Sequence, residues 1–133
     1  MPELEKPKSS NGLFGISEDH LETYQSLDER FVKNKTSTFF FEAEGESMMP
    51  LICPRDVLVV DRILAPEWGR IVVVVWDEEL ICKRLVREGK RIILRSENSR
   101  FADLVISNER SFVLWGVVRA VIHPLIEQEG RKR

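Results

Sequence analysis

The chain has 133 residues, with 20 Lys and Arg against 22 Asp and Glu and a net charge of -2. We expect a single compact domain, because a multi-domain enzyme needs a longer chain than this. The balanced charge argues against tight, sequence-independent binding to duplex DNA. The longest apolar run, residues 71–76, is far shorter than the roughly 20 residues that span a bilayer. We therefore expect a cytoplasmic protein without membrane contact and without specific DNA binding of its own.

Cysteine and histidine are too few and too scattered for a metal motif. Cys53 and Cys82 do not have metal-ligand spacing, and His20 and His123 are the two histidines of the sequence. The cysteines are typical of buried thiols in a reducing compartment. The sequence predicts neither a metal nor a cofactor.

The composition predicts three segments: an N-terminal arm over residues 1–36, a β domain over residues 37–126 and a charged tail over residues 127–133. Prolines, acids and a Ser-Ser-Asn-Gly cluster make the arm extended or mobile. Short β-rich runs separated by turn residues follow. These runs are Thr38–Ala43, Val57–Asp61, Arg70–Trp76, Glu79–Arg87, Arg91–Arg95 and Phe112–Ile122. They predict a mainly β fold of several short, strongly bent strands.

The first unusual segment runs from Phe39 to Pro50, where three aromatic residues lead a predicted strand into Gly45 and then Ser47. A glycine permits a bend that other residues resist, and backbone amides near such a bend can point at one spot. Ser47 is either a nucleophile with oxyanion donors close by or an ordinary turn residue. The segment alone leaves both interpretations open.

The second unusual feature is Lys83, inside the strand-like run Glu79–Arg87. Because side chains alternate along a strand, Lys83 shares a face with Ile81 and Leu85. A lysine in this setting is either an edge-strand charge that discourages aggregation or a buried amine with a lowered pKa.

Together, Ser47 and Lys83 suggest a Ser-Lys dyad, in which a neutral lysine accepts the serine proton. A lysine with a pKa of about 10.4 is neutral in only about one molecule in 2,500 at pH 7. Lowering its pKa to about 7 requires roughly 4 to 5 kcal/mol, which burial can supply. The dyad therefore predicts that apolar side chains of neighbouring strands form a water-excluding layer beneath Lys83.

Several motifs share a characteristic order and spacing, with Lys83 lying 36 positions after Ser47. They are Gly45–Met48 with Pro50, Asp56–Asp61, Gly69 before Ile71–Val74, Cys82–Leu85, Glu97–Ser99 and Trp115–Val118. Over residues 12–124 this pattern resembles the self-cleaving Ser-Lys peptidases of the LexA, UmuD and phage-repressor family. The resemblance implies that Ser47 is the nucleophile and Lys83 its base. It is greatest to the UmuD-like branch, because the arm is too short for a helix-turn-helix domain.

The UmuD-like branch of the family implies a set of partners. Its members are cut once in the arm, in a reaction of the SOS response that RecA bound to single-stranded DNA promotes. The shortened protein then forms a homodimer and joins UmuC in an error-prone translesion DNA polymerase. The resemblance thus implies a homodimer, a RecA filament and a UmuC-like polymerase as partners. The late run Phe112–Ile122 is either a dimer contact or ordinary core.

The family is cut before a glycine, usually after Ala or Cys. Aligning arm lengths back from Ser47 places the bond between Asn11 and Gly12 at the cleavage site. Asn11 is larger and more polar than the usual residue, and Asn-Gly is also a turn signal. Gly15 after Phe14 is the second candidate for the residue that follows the cut.

Two other positions depart from the family pattern. Arg55 stands where the family commonly has Gly, and Arg70 stands where it commonly has Asp. Both lie at predicted turns, so the departures concern local geometry and not the dyad.

Two alternative hypotheses remain. One is a non-cleaving interaction module of the same fold, regulating a polymerase or a repressor, because Asn11 departs from the usual cleavage residue. The other is a signal-peptidase-like Ser-Lys protease, which shares the chemistry but normally needs a membrane anchor that this sequence does not offer.

Overall fold

The computed structural model describes residues 26–107 and 112–126 of the chain. A short helix, α1, spans Leu27–Phe31, and a turn of 3-10 helix spans Lys35–Ser37. The strands are β1 (Thr38–Glu42), β2 (Val57–Asp61), β3 (Ile71–Trp76), β4 (Glu79–Glu88), β5 (Arg91–Arg95), β6 (Leu104–Ile106) and β7 (Phe112–Ile122). All seven strands belong to the unit that begins at Phe31.

The seven strands form one sheet in the order β1-β2-β7-β3-β4-β5-β6, and every neighbouring pair is antiparallel. The predicted mainly β fold is therefore confirmed. The last long strand, β7, lies between β2 and β3 and hydrogen-bonds to both. Within the described ranges, β1 and β6 are left as the edges of the sheet.

Apolar side chains cover both faces of the central strand β3. Val72 and Val74 pack into one buried cluster with Leu85, whereas Val73 packs into a second cluster with Met48. Because successive side chains point to opposite faces, a strand buried on both sides needs an unbroken apolar run. This requirement explains the continuous apolar sequence of residues 71–76.

Two backbone hydrogen bonds close the base of the loop that connects β1 to β2. Ala43 N donates to Asp56 O at 2.8 Å, and Arg55 N donates to Ala43 O at 2.8 Å. Arg55 has a φ of 77°, a conformation that glycine adopts far more readily than residues with a Cβ. The departure noted at Arg55 thus falls on a position whose backbone favours the glycine that the family commonly has.

Three predictions fall largely or wholly beyond the structural description. Most of the predicted arm, the bond between Asn11 and Gly12, and the charged tail 127–133 lie outside the described residues. The three segment boundaries stay predictions. Over residues 26–107 and 112–126, no helix has the length and apolar character to cross a membrane.

Candidate active site

Ser47 lies in the loop that follows β1. The chain leaves β1 at Glu42 and bends at Gly45, whose φ is 79°. Met49 N then donates to Glu46 O at 3.2 Å, and Ile52 N donates to Met48 O at 2.9 Å. Met48 and Ile52 are both buried. The loop therefore carries Ser47 on a segment whose own apolar side chains anchor it in the core.

Lys83 lies in β4, directly opposite the fully buried Val72 of β3. Its Nζ donates a hydrogen bond to Ser47 Oγ at 3.0 Å. Ile81 and Leu85, which flank Lys83 on the same face of β4, pack with the apolar cluster that contains Val72. The structure thus brings together the two residues that the sequence paired, above an apolar layer.

Arg84, the basic residue next to Lys83, binds a carboxylate and a backbone carbonyl and does not contact the serine. Arg84 forms an ion pair with the carboxylate of Glu97, and its Nη1 donates to Gly69 O at 2.6 Å. This ion pair raises the pKa of Arg84 and lowers the pKa of Glu97. Arg84 therefore stays charged and links two turns, while Lys83 faces the serine.

Two residues that follow β5, Ser96 and Asn98, complete the site, and the sequence analysis did not assign them a role. Ser96, which is buried, accepts a hydrogen bond from Lys83 Nζ at 2.8 Å. Asn98 N donates to Ser47 O at 2.9 Å, and Asn98 Nδ2 donates to Glu46 O at 3.0 Å. One short turn therefore fixes both the lysine amine and the backbone of the serine loop.

The roles of Ser96 and Asn98 were not visible in the local sequence. Their contacts depend on residues that are 13 and 52 positions away in the chain, namely Lys83 and Glu46. No local pattern reports such contacts. The signal that was available is the resemblance, in which Glu97–Ser99 is one of the shared motifs.

Burial lowers the pKa of Lys83 below its ordinary 10.5, because desolvation disfavours the charged amine. The neighbouring Cys82 would oppose this effect as a thiolate. However, burial raises the pKa of Cys82 to about 12, so the thiol stays neutral while Lys83 loses its proton. The amine is thus shifted towards the form that can accept a proton.

A groove of about 400 Å³ opens beside the dyad. Ser47 and Lys83 line it together with residues from the end of β1 onward, and most of the lining residues are apolar. The other lining residues are Phe41–Gly45, Met48, Ile52, Leu58, Val73 and Leu80–Cys82. A groove of this size and lining can hold a short, extended peptide against the serine hydroxyl.

A serine beside a partly desolvated lysine is the arrangement used by Ser-Lys hydrolases, in which the amine can serve as the base. The family model for Peptidase S24-like proteins matches residues 4–119, and the chain belongs to this family. The resemblance drawn from the motifs is thereby confirmed at the level of the family.

A curated relative of this chain is the LexA repressor of Psychromonas ingrahamii. It is 29% identical over 109 residues, which cover 80% of this chain and 52% of that repressor. The chain therefore spans about half the length of the curated relative it matches. The UmuD-like branch stays a prediction.

Proposed function

We propose that this protein is a serine peptidase that cuts its own N-terminal arm. Ser47 Oγ attacks the carbonyl carbon of Asn11, and Lys83 Nζ accepts the hydroxyl proton. The bond to the Gly12 nitrogen breaks, and Lys83 returns the proton to the new amine. Water then hydrolyses the acyl-serine and restores Ser47. The observation that carries the proposal is the 3.0 Å contact between Lys83 Nζ and Ser47 Oγ.

The groove suggests how the arm is bound. Its mostly apolar lining favours apolar side chains near the bond, such as Leu13 and Phe14, which follow it in the sequence. Because the substrate is tethered, the arm needs a high effective concentration at the site more than a high affinity. A partner that favours the docked arm would then accelerate cutting without adding a catalytic group.

The proposal predicts a rate of self-cleavage that rises with pH and then levels off. The neutral fraction of Lys83 grows as pH approaches its pKa, which burial places below 10.5. The rate should therefore increase up to tenfold per pH unit, with a midpoint below pH 10.5, and level off above that midpoint. Loss of the arm, followed on gels from pH 6 to 11 in wild type and in Ser47→Ala, checks this. A rate that is flat over this range, or equal in the variant, contradicts the proposal.

Ser96 is expected to act as a positioning residue for Lys83. A neutral amine has two N–H donors and one lone pair, so donating one N–H to Ser96 Oγ helps to aim the lone pair at Ser47. Ser96→Ala should lower the plateau rate about 10- to 100-fold, the size of a small misplacement of a catalytic group. Ser96→Thr, which keeps the hydroxyl, should recover most of it.

The pH profile separates this role from simple destabilisation. The Ser96 hydroxyl also favours the ammonium form of Lys83 by accepting its hydrogen bond. Its removal should therefore move the midpoint of the profile to lower pH while the plateau falls. Ser99→Ala changes an exposed serine of the same turn and should leave both values unchanged. An unaltered midpoint and plateau in Ser96→Ala would rule out the positioning role.

The finer proposal is the UmuD-like role. RecA filaments on single-stranded DNA would promote the cut, and the processed homodimer would become a subunit of a UmuC-like translesion polymerase in the SOS response. The family membership and the shared motifs support it. Since both edges of β7 are already hydrogen-bonded, a dimer contact through β7 would use its side chains.

The likeness to a LexA repressor makes repression the competing role. Co-purification of the processed protein with a UmuC-like polymerase, and no sequence-specific DNA binding, supports the polymerase subunit. Specific operator binding supports a repressor instead. A wild-type chain that stays intact at alkaline pH and with RecA filaments supports the non-cleaving interaction module.

A further inference from the structure

Cys53, Asp56 and His123 offer one thiol, one carboxylate and one imidazole whose ligand atoms all lie within 4.8 Å of one another. None of the three residues lines the groove at Ser47 and Lys83, and the proposed peptidase mechanism does not use them. The spacing of the three residues in the sequence gives no metal motif, because His123 follows Asp56 by 67 positions. The fold brings them together.

The register of the sheet explains the meeting of Asp56 and His123. β2 and β7 are antiparallel, with Val57 directly opposite Ile122 at the end of the pair. Asp56 precedes Val57 and His123 follows Ile122, so the two side chains emerge next to each other. Asp56 Oδ1 lies 2.6 Å from His123 Nδ1.

A tight turn brings Cys53 to the same place. Asp56 N donates to Cys53 O at 3.0 Å, and Cys53 N donates to Asp56 Oδ2 at 2.8 Å. The Asp56 side chain is 3% exposed, and the backbone amide of Cys53 fixes one of its oxygens. A ligating carboxylate commonly has its second oxygen held by such a hydrogen bond. Oδ1 is left to face His123.

We propose that Cys53 Sγ, Asp56 Oδ1 and His123 Nδ1 bind a divalent transition-metal ion of the zinc class. Thiolate, imidazole and carboxylate are the ligands that Zn²⁺ and Co²⁺ accept in tetrahedral sites, and hard ions such as Mg²⁺ do not favour sulfur. Three protein ligands leave a fourth position for water. The Cys53 thiol gives up its proton to the solvent on binding.

The adjustment required between His123 and Asp56 is small. With bonds of about 2.0 to 2.3 Å, tetrahedral ligand atoms lie roughly 3.3 to 3.7 Å apart. His123 Nδ1 must therefore move away from Asp56 Oδ1 by less than about 1 Å from its present hydrogen bond. The His123 side chain is 58% exposed, so it has room to do so. The metal would then tie the turn after the serine loop to the end of β7.

Titration of the purified full-length protein with Co²⁺ tests the proposal, with Zn²⁺ as competitor. We expect a thiolate-to-cobalt absorption band and tetrahedral visible bands that Zn²⁺ abolishes. Cys53→Ser should remove the thiolate band, and His123→Ala should weaken Co²⁺ binding by at least the roughly 10- to 100-fold that loss of a supporting partner costs. Zn²⁺ should also raise the thermal midpoint of wild type but not of either variant.

The chain supplies complete matched controls, because it has only two cysteines and two histidines. Cys82→Ser and His20→Ala should bind Co²⁺ like the wild type. Absence of the thiolate band in the wild type would overturn the proposal. So would an equal loss of the band in Cys53→Ser and Cys82→Ser. Self-cleavage does not enter these readouts, so the result is independent of the proposed peptidase function.

Discussion

Replacing Lys83 with arginine should abolish self-cleavage. Arginine keeps a positive charge and can still donate to Ser47, but it does not lose its proton in proteins and so offers no base. We expect the rate of arm loss to fall at least ~1,000-fold, as in other enzymes that lose a member of a catalytic unit. Gel or mass analysis at the alkaline plateau of the wild type provides the measurement.

Two further variants serve as controls for the Lys83 prediction. Lys83→Met removes the charge from the partly buried site without breaking the apolar layer, so a folded but inactive Lys83→Met excludes misfolding as the cause. Lys90→Arg changes an exposed lysine of the β4–β5 hairpin and should cleave like the wild type. Arm loss in Lys83→Arg at anything near the wild-type rate would contradict the role of Lys83 as base.

Replacing Asp61 with asparagine should destabilise the fold strongly. The Asp61 side chain is 1% exposed and accepts hydrogen bonds from Ile63 N at 2.8 Å, Leu64 N at 3.2 Å and Arg119 Nη2 at 3.0 Å. Asparagine would leave the guanidinium of Arg119 without its counter-ion. Breaking a fully buried pair costs about 3 to 5 kcal/mol. Because the Arg119 side chain is 24% exposed, we expect a loss towards the lower end of that range, which urea unfolding at pH 7 measures.

The effect of Asp61 should depend on pH. Burial by itself would raise its pKa, but the hydrogen bonds from Ile63, Arg119 and Leu64 outweigh it, and the pKa is lowered below 3.8. Its stabilising effect is therefore complete above pH 3.8 and is lost as pH falls through the lower pKa of the folded protein. The difference in the free energy of unfolding between the wild type and Asp61→Asn should therefore become smaller at acid pH.

A matched exposed pair serves as the control for Asp61. Asp103 pairs with Arg95 at 2.9 Å where both side chains are more than one third exposed. Solvent screens such a pair, so Asp103→Asn should leave the urea midpoint almost unchanged. If the urea midpoint of Asp61→Asn were as close to the wild-type midpoint as that of Asp103→Asn, the buried pair would not stabilise the fold as proposed.

The strands were largely predictable because each one carries its own period of apolar residues between turn signals. The bounds of β2, β5 and β7 match the predicted runs, and β1, β3 and β4 differ by one residue at an end. The strand β6 was missed. It has only the three residues Leu104–Ile106, and it forms by pairing with β5. So short an apolar stretch does not predict that pairing.

The candidate site was predictable only in part. Ser47 and Lys83 each lie at a local anomaly, a bend after a strand and a charge within an apolar run, so both could be singled out. The hydrogen bonds of Ser96 and the meeting of Cys53 with His123 depend on sheet register and on loop packing. Such contacts join distant parts of the chain and leave no periodic signal.

The most direct test of the account is the intact mass of the purified chain after incubation near pH 10, where more of an amine such as Lys83 is neutral. The account predicts loss of residues 1–11 and a new N-terminus at Gly12 in the wild type, with no loss in Ser47→Ala. A wild-type chain that stays whole there and with RecA filaments, or the same fragment from Ser47→Ala, would contradict it.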